Sequence, residues 1–316
     1  MEMLKAIIIL IAGFVLLIKG ADFFVEGSSS VAKKLRVPPI IIGLTIVAMG
    51  TSLPELAVSV TASLAGNNAI AISNVVGSNF FNLIVVCGTC ALFAPLAIKK
   101  STLKQDFPLA IGCGVLLLIV GYMGMELGRV DGIIFLLIFA AYMAFLLRQA
   151  LKARATSKED EAAEEKKTIP VWLCIIYIVG GIAAIKFGGD FVVNGASVIA
   201  KGLGFSDNLI GLTIVAVGTS LPELVTSVVA SRKNEVDMAL GNVLGSNIFN
   251  ILLILGTASV ISPMTFVMEN IIDIIILTAV SVLVYIFAWT REKIERKEGI
   301  VMLATYVIFM IYISVR

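Results

Sequence analysis

The chain reads as a series of apolar runs of about 20 residues, separated by short segments that carry Lys, Arg, Pro or Gly. A helix of that length crosses a hydrocarbon core of roughly 30 Å. Ten such spans are predicted, near 3–28, 38–65, 69–93, 106–124, 130–151, 170–196, 207–231, 236–261, 270–289 and 297–314. The fold class that follows is an all-α membrane protein of ten transmembrane helices. One long polar stretch breaks the pattern, KARATSKEDEAAEEKKT at 152–168. It reads as a solvated linker, 152–169, between a first half, 1–151, and a second half, 170–316. A mixed-charge hinge is the preferred reading of it, and a regulatory calcium site among its acids is the alternative.

The pattern is written twice. GLTIVAMGTSLPE ends at Glu55 and GLTIVAVGTSLPE at Glu223, 168 positions later. The register holds without a gap from about residue 16 to 88, against 184 to 256, with about half the pairs identical. Corresponding helices lie five spans apart, an odd number, so each half crosses the membrane in the opposite sense to its twin. That predicts two inverted five-helix repeats, an arrangement of secondary transporters whose sites lie near the bilayer midplane. The repeated motif segments are 43–82 and 211–250.

Composition narrows the class. A mean hydropathy of +1.03, with 59% hydrophobic and 15% charged residues, excludes an ordinary soluble domain and leaves no room for an appended catalytic one. The first run has no small-residue cleavage site and continues into GADFFVEG, matched by GGDFVVNG in the second half. It reads as a membrane helix and not as a signal peptide. Of 24 Lys and Arg, 18 fall on one side of the predicted spans. Only Lys5, Arg129, Lys201 and Arg316 fall on the other. The positive-inside rule then puts both termini outside the cell and the linker in the cytoplasm, in the cell membrane. There is no His, which removes the usual zinc ligand and proton relay. Cys87 and Cys90 have C-x-x-C spacing, but no second pair completes a metal site. With Cys113 and Cys174 they read as buried free thiols.

The candidate chemistry centres on the two Glu. A carboxylate at bilayer depth costs several kcal/mol and is by default functional, and neither has a Lys or Arg partner at its depth. Helical spacing puts Ala48, Thr51, Ser52, Glu55 and Ser59 on one face, and Ala216, Thr219, Ser220, Glu223 and Ser227 on its twin. Pro54 and Pro222 precede the acids and bring no N–H to the carbonyls of Gly50 and Gly218. A freed carbonyl at membrane depth must find another partner or line a polar cavity. Carboxylates, hydroxyls and carbonyls together are the donors that hard cations take.

The helix after each Glu adds Asn74, Ser78 and Asn82 in NVVGSNFFN, and Asn242, Ser246 and Asn250 in NVLGSNIFN. Ser78, Asn82, Ser246 and Asn250 are expected to oppose the acids. Asn74, Asn79, Asn242 and Asn247 read more readily as interhelical hydrogen bonds. Asp22 and Asp190 also obey the 168 offset; they gate the ion path or, the preferred reading, cap and pack near an interface. Lys19 and Lys186 read as snorkelling side chains.

These paired G-T-S-L-P-E and G-S-N-x-x-N segments resemble the alpha repeats of the sodium/calcium exchangers, within the cation/calcium antiporter superfamily. The resemblance implies an antiporter, not an enzyme, with no cofactor, in many members moving three Na⁺ inward for one Ca²⁺ outward. Its partners are those ions and the lipid bilayer, with no nucleic acid and no obligate protein partner. By motif, Glu55 and Glu223 are shared ligands of a central calcium site and flanking sodium sites. Thr51 and Thr219 give backbone carbonyls to Ca²⁺. Ala48, Ser52, Ser78, Ala216, Ser220 and Ser246 complete sodium sites, and Asn82 and Asn250 flank the middle. The first and sixth helices slide over the other eight. Some archaeal and potassium-dependent relatives carry Asp at the position of Asn250, so Asn here implies potassium independence. Two carboxylates loaded with three Na⁺ keep one positive charge, which makes exchange electrogenic. The runner-up is Ca²⁺/H⁺ or another cation/proton antiport, although the G-N-x-x-E pattern associated with calcium/proton exchange is absent. A cation channel suits an inverted duplication less well.

Overall fold

The computed structural model describes residues 2–156, 169–204 and 216–315. Helix α1 (Glu2–Leu35) has an acid in its first turn and Lys33 and Lys34 in its last, which complements the helix dipole. Arg36, with φ of 55°, stops it in the left-handed region. Pro39, at the first helical position, starts α2 (Pro39–Thr51). There follow α3 (Leu53–Leu64), α4 (Asn68–Phe93), α5 (Lys100–Gly124), α6 (Arg129–Thr156) and α7 (Val171–Gly202). The remainder is α8 (Ala216–Gly218), α9 (Leu221–Arg232), α10 (Val236–Ile261), α11 (Met268–Arg291) and α12 (Arg296–Val315).

The chain is an all-helical membrane protein. Among the described residues, seven helices (α1, α4, α5, α6, α7, α10 and α11) are long and apolar enough to cross a bilayer, and α2 with α3, bent by 49°, makes an eighth. Ten spans were predicted. The tenth corresponds to α12, whose opening Arg296, Lys297 and Glu298 shorten its apolar run. The seventh, 207–231, and the motif 211–250 fall partly on 205–215, outside the described residues; α8 and α9 are what is described of that span. Most of the linker, 157–168, is also outside them, while α6 runs on as far as Thr156.

Helices α4 and α10 are largely buried and form the core, whereas α1, α5, α6, α7 and α11 are mostly exposed on their outer faces. Within the core, α2 lies along α10, and α3 and α9 pack on α4 and α10 respectively. Among the described residues, three π-helical turns interrupt these central helices, at Gly43–Val47, Asn82–Val86 and Asn250–Leu255. Such turns concentrate at functional sites because each widens the helix and leaves backbone groups looser. The last two open on the twin residues Asn82 and Asn250.

The halves interlock at their edges. Two-residue strands pair across them: β1 (Leu96–Ala97) with β4 (Lys293–Ile294), and β2 (Glu126–Leu127) with β3 (Met264–Thr265). Helices α1 and α7 run antiparallel over most of their lengths. Ala6 meets Gly195, Gly13 meets Gly188, Gly20 meets Gly181, and Gly27 meets Cys174. A Cβ on Gly13 would sit 2.8 Å from the Gly188 carbonyl oxygen, and one on Gly188 would sit 2.9 Å from that of Gly13. Between apolar helices in lipid, close backbone approach through small residues supplies the van der Waals contact that holds them.

Candidate cation-binding site

Glu55 and Glu223 are the third residues of α3 and α9, helices that begin inside the protein. Pro54 and Pro222 bring no N–H to the preceding turn. The backbone bonds across the first break run from Ser52 N to Ala48 O (3.0 Å) and from Leu56 N to Ser52 O (3.1 Å). In the second copy they run from Ser220 N to Val217 O (3.1 Å) and from Leu224 N to Ser220 O (3.2 Å). A broken helix presents a partly positive N-terminus and a partly negative C-terminus at one point, and discontinuous helices of this kind place transporter sites at mid-membrane.

The two acids are fully buried, each at 0% exposure. Their hydroxyl partners are exchanged between the halves. Ser52 donates to Glu223 Oε1 at 3.0 Å, and Ser220 lies 3.3 Å from Glu55 Oε1. Ser78 Oγ is 3.3 Å from that same Glu55 oxygen and 3.0 Å from Ser220 Oγ. Asn250 Nδ2 donates to Ser78 Oγ (3.2 Å) and to Asn79 Oδ1 (2.9 Å). The expected opposition of Ser78 and Asn250 to the acids is therefore partly within a half (Ser78 to Glu55) and partly between halves.

Other atoms have no partner among the described residues: Glu55 Oε2, Glu223 Oε2, both amide atoms of Asn82, Asn250 Oδ1 and Ser246 Oγ. Each unpaired buried polar group costs about 1–3 kcal/mol, and more if charged. Five of these atoms are oxygens, on five residues, and with no ion pair to either Glu among the described residues they make a set of donors suited to a hard cation. The same residues form no group of three or more His, Cys, Asp or Glu. Most of the coordinating capacity is thus neutral oxygen.

The remaining sequence candidates are placed as follows. Ala48 and Thr51 are buried beside the break, where Thr51 Oγ1 donates to Asn242 Oδ1 at 2.9 Å. Thr219 is half-buried, and the side chain of Ala216 lies outside the described residues. Asn74 donates to the Glu55 carbonyl (3.3 Å) and to Ser59 (3.0 Å), and Asn242 to the Glu223 carbonyl (3.4 Å) and to Ser227 (2.9 Å). These four contacts are interhelical bonds that hold the backbone under each acid. The Asn79–Asn247 contact and the role of Asn79 in holding Asn250 were not legible from spacing, since both cross between halves. Asp22 and Asp190 lie away from the acids, in ion pairs with Lys233 (2.7 Å) and Lys186 (3.0 Å). Lys186, read as a snorkelling side chain, keeps its head group exposed in that pair, 5.4 Å from the Phe187 ring centre. The four Cys are free and buried, as anticipated.

Comparison with known proteins leads to the same place. The family model described as sodium/calcium exchanger protein matches residues 5–148 and 173–315. CaxA of Alkalimonas amylolytica is 43% identical over 269 residues, 83% of this chain and 82% of that protein. The sodium/calcium exchanger MaX1 of Methanosarcina acetivorans is 34% identical, over 96% of this chain and 97% of its own. Among solved structures, the sodium-calcium exchanger NCX_Mj soaked without Na⁺ and Ca²⁺ superposes with a TM-score of 0.84 at 32% identity, covering 98% and 99% of the two chains. The chain belongs to the sodium/calcium exchanger family.

Proposed function

We propose that this protein is an antiporter that moves Ca²⁺ against Na⁺ by alternating access, through ten spans in two inverted repeats divided at the linker 152–169. The observation that carries the ion reading is the pair of fully buried carboxylates, Glu55 and Glu223, each with one oxygen unpartnered among the described residues and with unpartnered oxygens of Asn82, Asn250 and Ser246 in the same core. The antiparallel α1–α7 seam supports the inverted arrangement.

In this reading Glu55 and Glu223 contact both kinds of ion. Ser52, Ser220, Ser78, Ser246, Asn82 and Asn250 complete the oxygen shell, with backbone oxygens at Ala48, Thr51, Ala216 and Thr219. One Ca²⁺ cancels the two carboxylate charges, and a load of three Na⁺ leaves a single positive charge. Either load lets the site pass the membrane barrier, while the empty doubly negative site is costly to carry through it. With three Na⁺ per Ca²⁺ one charge moves per cycle, worth about 2.3 kcal/mol per 100 mV. Asn at both 82 and 250 favours exchange without K⁺. The Lys and Arg distribution supports extracellular termini and a cytoplasmic linker.

Isotopic Ca²⁺ uptake into vesicles, with and without an outward Na⁺ gradient, tests this. Uptake is expected to rise with the gradient and with an inside-positive potential. Uptake indifferent to Na⁺ but driven by a pH gradient would put H⁺ in the place of Na⁺.

A further inference from the structure

The two halves differ where α1 and α7 meet the core. The C-terminal half of α1 lies along α9, burying Ser28, Ser29 and Ser30 (0%, 6% and 6% exposed). The equivalent pair, α7 and α3, barely touches, and Val198, the twin of Ser30, is 44% exposed. Among the described residues, the long helix shuts one end of the core, and its twin makes no such contact at the opposite end.

At the shut end, charges link α1 to the turn after α9. Lys233, in the turn between α9 and α10, reaches back to α1. Its Nζ lies 2.7 Å from Asp22 Oδ1, 3.0 Å from the Asp22 carbonyl and 3.7 Å from Glu26 Oε2. Two residues on, Glu235 accepts a hydrogen bond from Ser29 and lies 3.5 Å from Lys33. A recess of about 320 Å³ between these groups leaves them open to water. At the twin turn the residues are Ala65 and Asn67, which carry no charge. Asp190, the twin of Asp22, pairs instead with Lys186 on its own helix, and Asn194 stands at the twin position of Glu26.

In an inverted repeat the two access states exchange the conformations of the halves, so identical halves would make the states equal in energy. Residues that differ between the halves set the balance. We propose that Lys233, clasping Asp22 and Glu26, is a one-sided latch that holds α1 against α9 and biases the protein toward the state closed on that face. The Lys and Arg distribution makes that face cytoplasmic. The inference rests on the alternating-access reading above, but not on which ions are exchanged.

The test is the labelling rate of single reporter cysteines, Ser30→Cys and Val198→Cys, by a membrane-impermeant maleimide in ion-free buffer. The protein with its buried native Cys serves as the blank. With Lys233→Ala, which installs the twin's residue, labelling at position 30 is expected to rise about two- to fivefold, the range exposed ion pairs carry, and labelling at 198 to fall. Lys233→Arg should keep the slow rate at position 30. High salt should speed labelling in the parent and leave Lys233→Ala unmoved, because it screens the pair. Unchanged rates in Lys233→Ala, or an equal rise with Lys233→Arg, overturn the latch. A shift in labelling without Na⁺-driven Ca²⁺ uptake would keep the latch and discard the ion assignment.

Discussion

Asn79 and Asn247, 168 residues apart, each donate a side-chain hydrogen bond to the other's backbone carbonyl, at 3.1 and 3.2 Å. The exchange is that of a two-fold contact, in which residue i meets j as j meets i. The α1–α7 glycine pairs and the two strand pairs obey the same rule. A local two-fold axis therefore runs between the halves, beside the acids.

The symmetry is incomplete at the side chains. Asn79 Oδ1 receives Asn250, while Asn247 Oδ1 has no partner among the described residues. Asn79→Ala and Asn247→Ala are each expected to lower stability by about 1–3 kcal/mol, by leaving a buried carbonyl short of its donor. Thermal unfolding in detergent measures this. Only Asn79→Ala should also weaken Ca²⁺ dependence, because it releases Asn250. Equal effects of the two on Ca²⁺ would contradict that division.

Glu55→Gln and Glu223→Gln keep shape and remove charge. Each is expected to abolish Na⁺-driven Ca²⁺ uptake and to weaken Ca²⁺ binding by at least about 100-fold, the scale set by breaking a buried charge pairing of 3–5 kcal/mol. Binding calorimetry on folded protein separates this from misfolding. The folded variants should gain stability without ions, since one uncompensated buried charge is gone. A variant with normal flux would remove that Glu from the mechanism.

The seam between α1 and α7 predicts a contrast within one helix. Gly188→Ala drives a methyl into the backbone of α1, where the nearest atoms lie 2.7 and 2.9 Å away. Gly180→Ala meets nothing within 4 Å. The first is expected to part the helices and lower the unfolding temperature. The second should leave it unchanged or raise it, helix propensity adding up to about 1 kcal/mol of stability. Equal behaviour of the two would mean that the seam is not closely packed in the membrane.

The central acids, the breaks at Pro54 and Pro222 and the polar stripes were legible along the chain because each depends on residues a few positions apart. Helix boundaries were close for α4 and α10, which fall within a residue of the spans predicted for them, whereas α1 (Glu2–Leu35), α5 (Lys100–Gly124) and α7 (Val171–Gly202) run well past one end of 3–28, 106–124 and 170–196. The π-turns that open at Asn82 and Asn250 were not legible, since a π-turn and an α-turn share one apolar pattern. Nor was the pairing of Asp190 with Lys186, because Lys186 has no twin in the first half.

Contiguous residues alone establish that two related halves each carry one costly acid in an apolar span, flanked by the same Pro, Ser and Asn. Periodicity and transfer free energy are properties of contiguous chain, and they suffice for that. Only the tertiary structure decided that Ser52 serves Glu223 and Ser220 lies against Glu55. It also decided that α1 is shut on the core while α7 is not, and that Lys233 reaches Asp22. Those relations join residues more than 160 positions apart, so they depend on how whole helices pack, and related sequences in the two halves take up different contacts there.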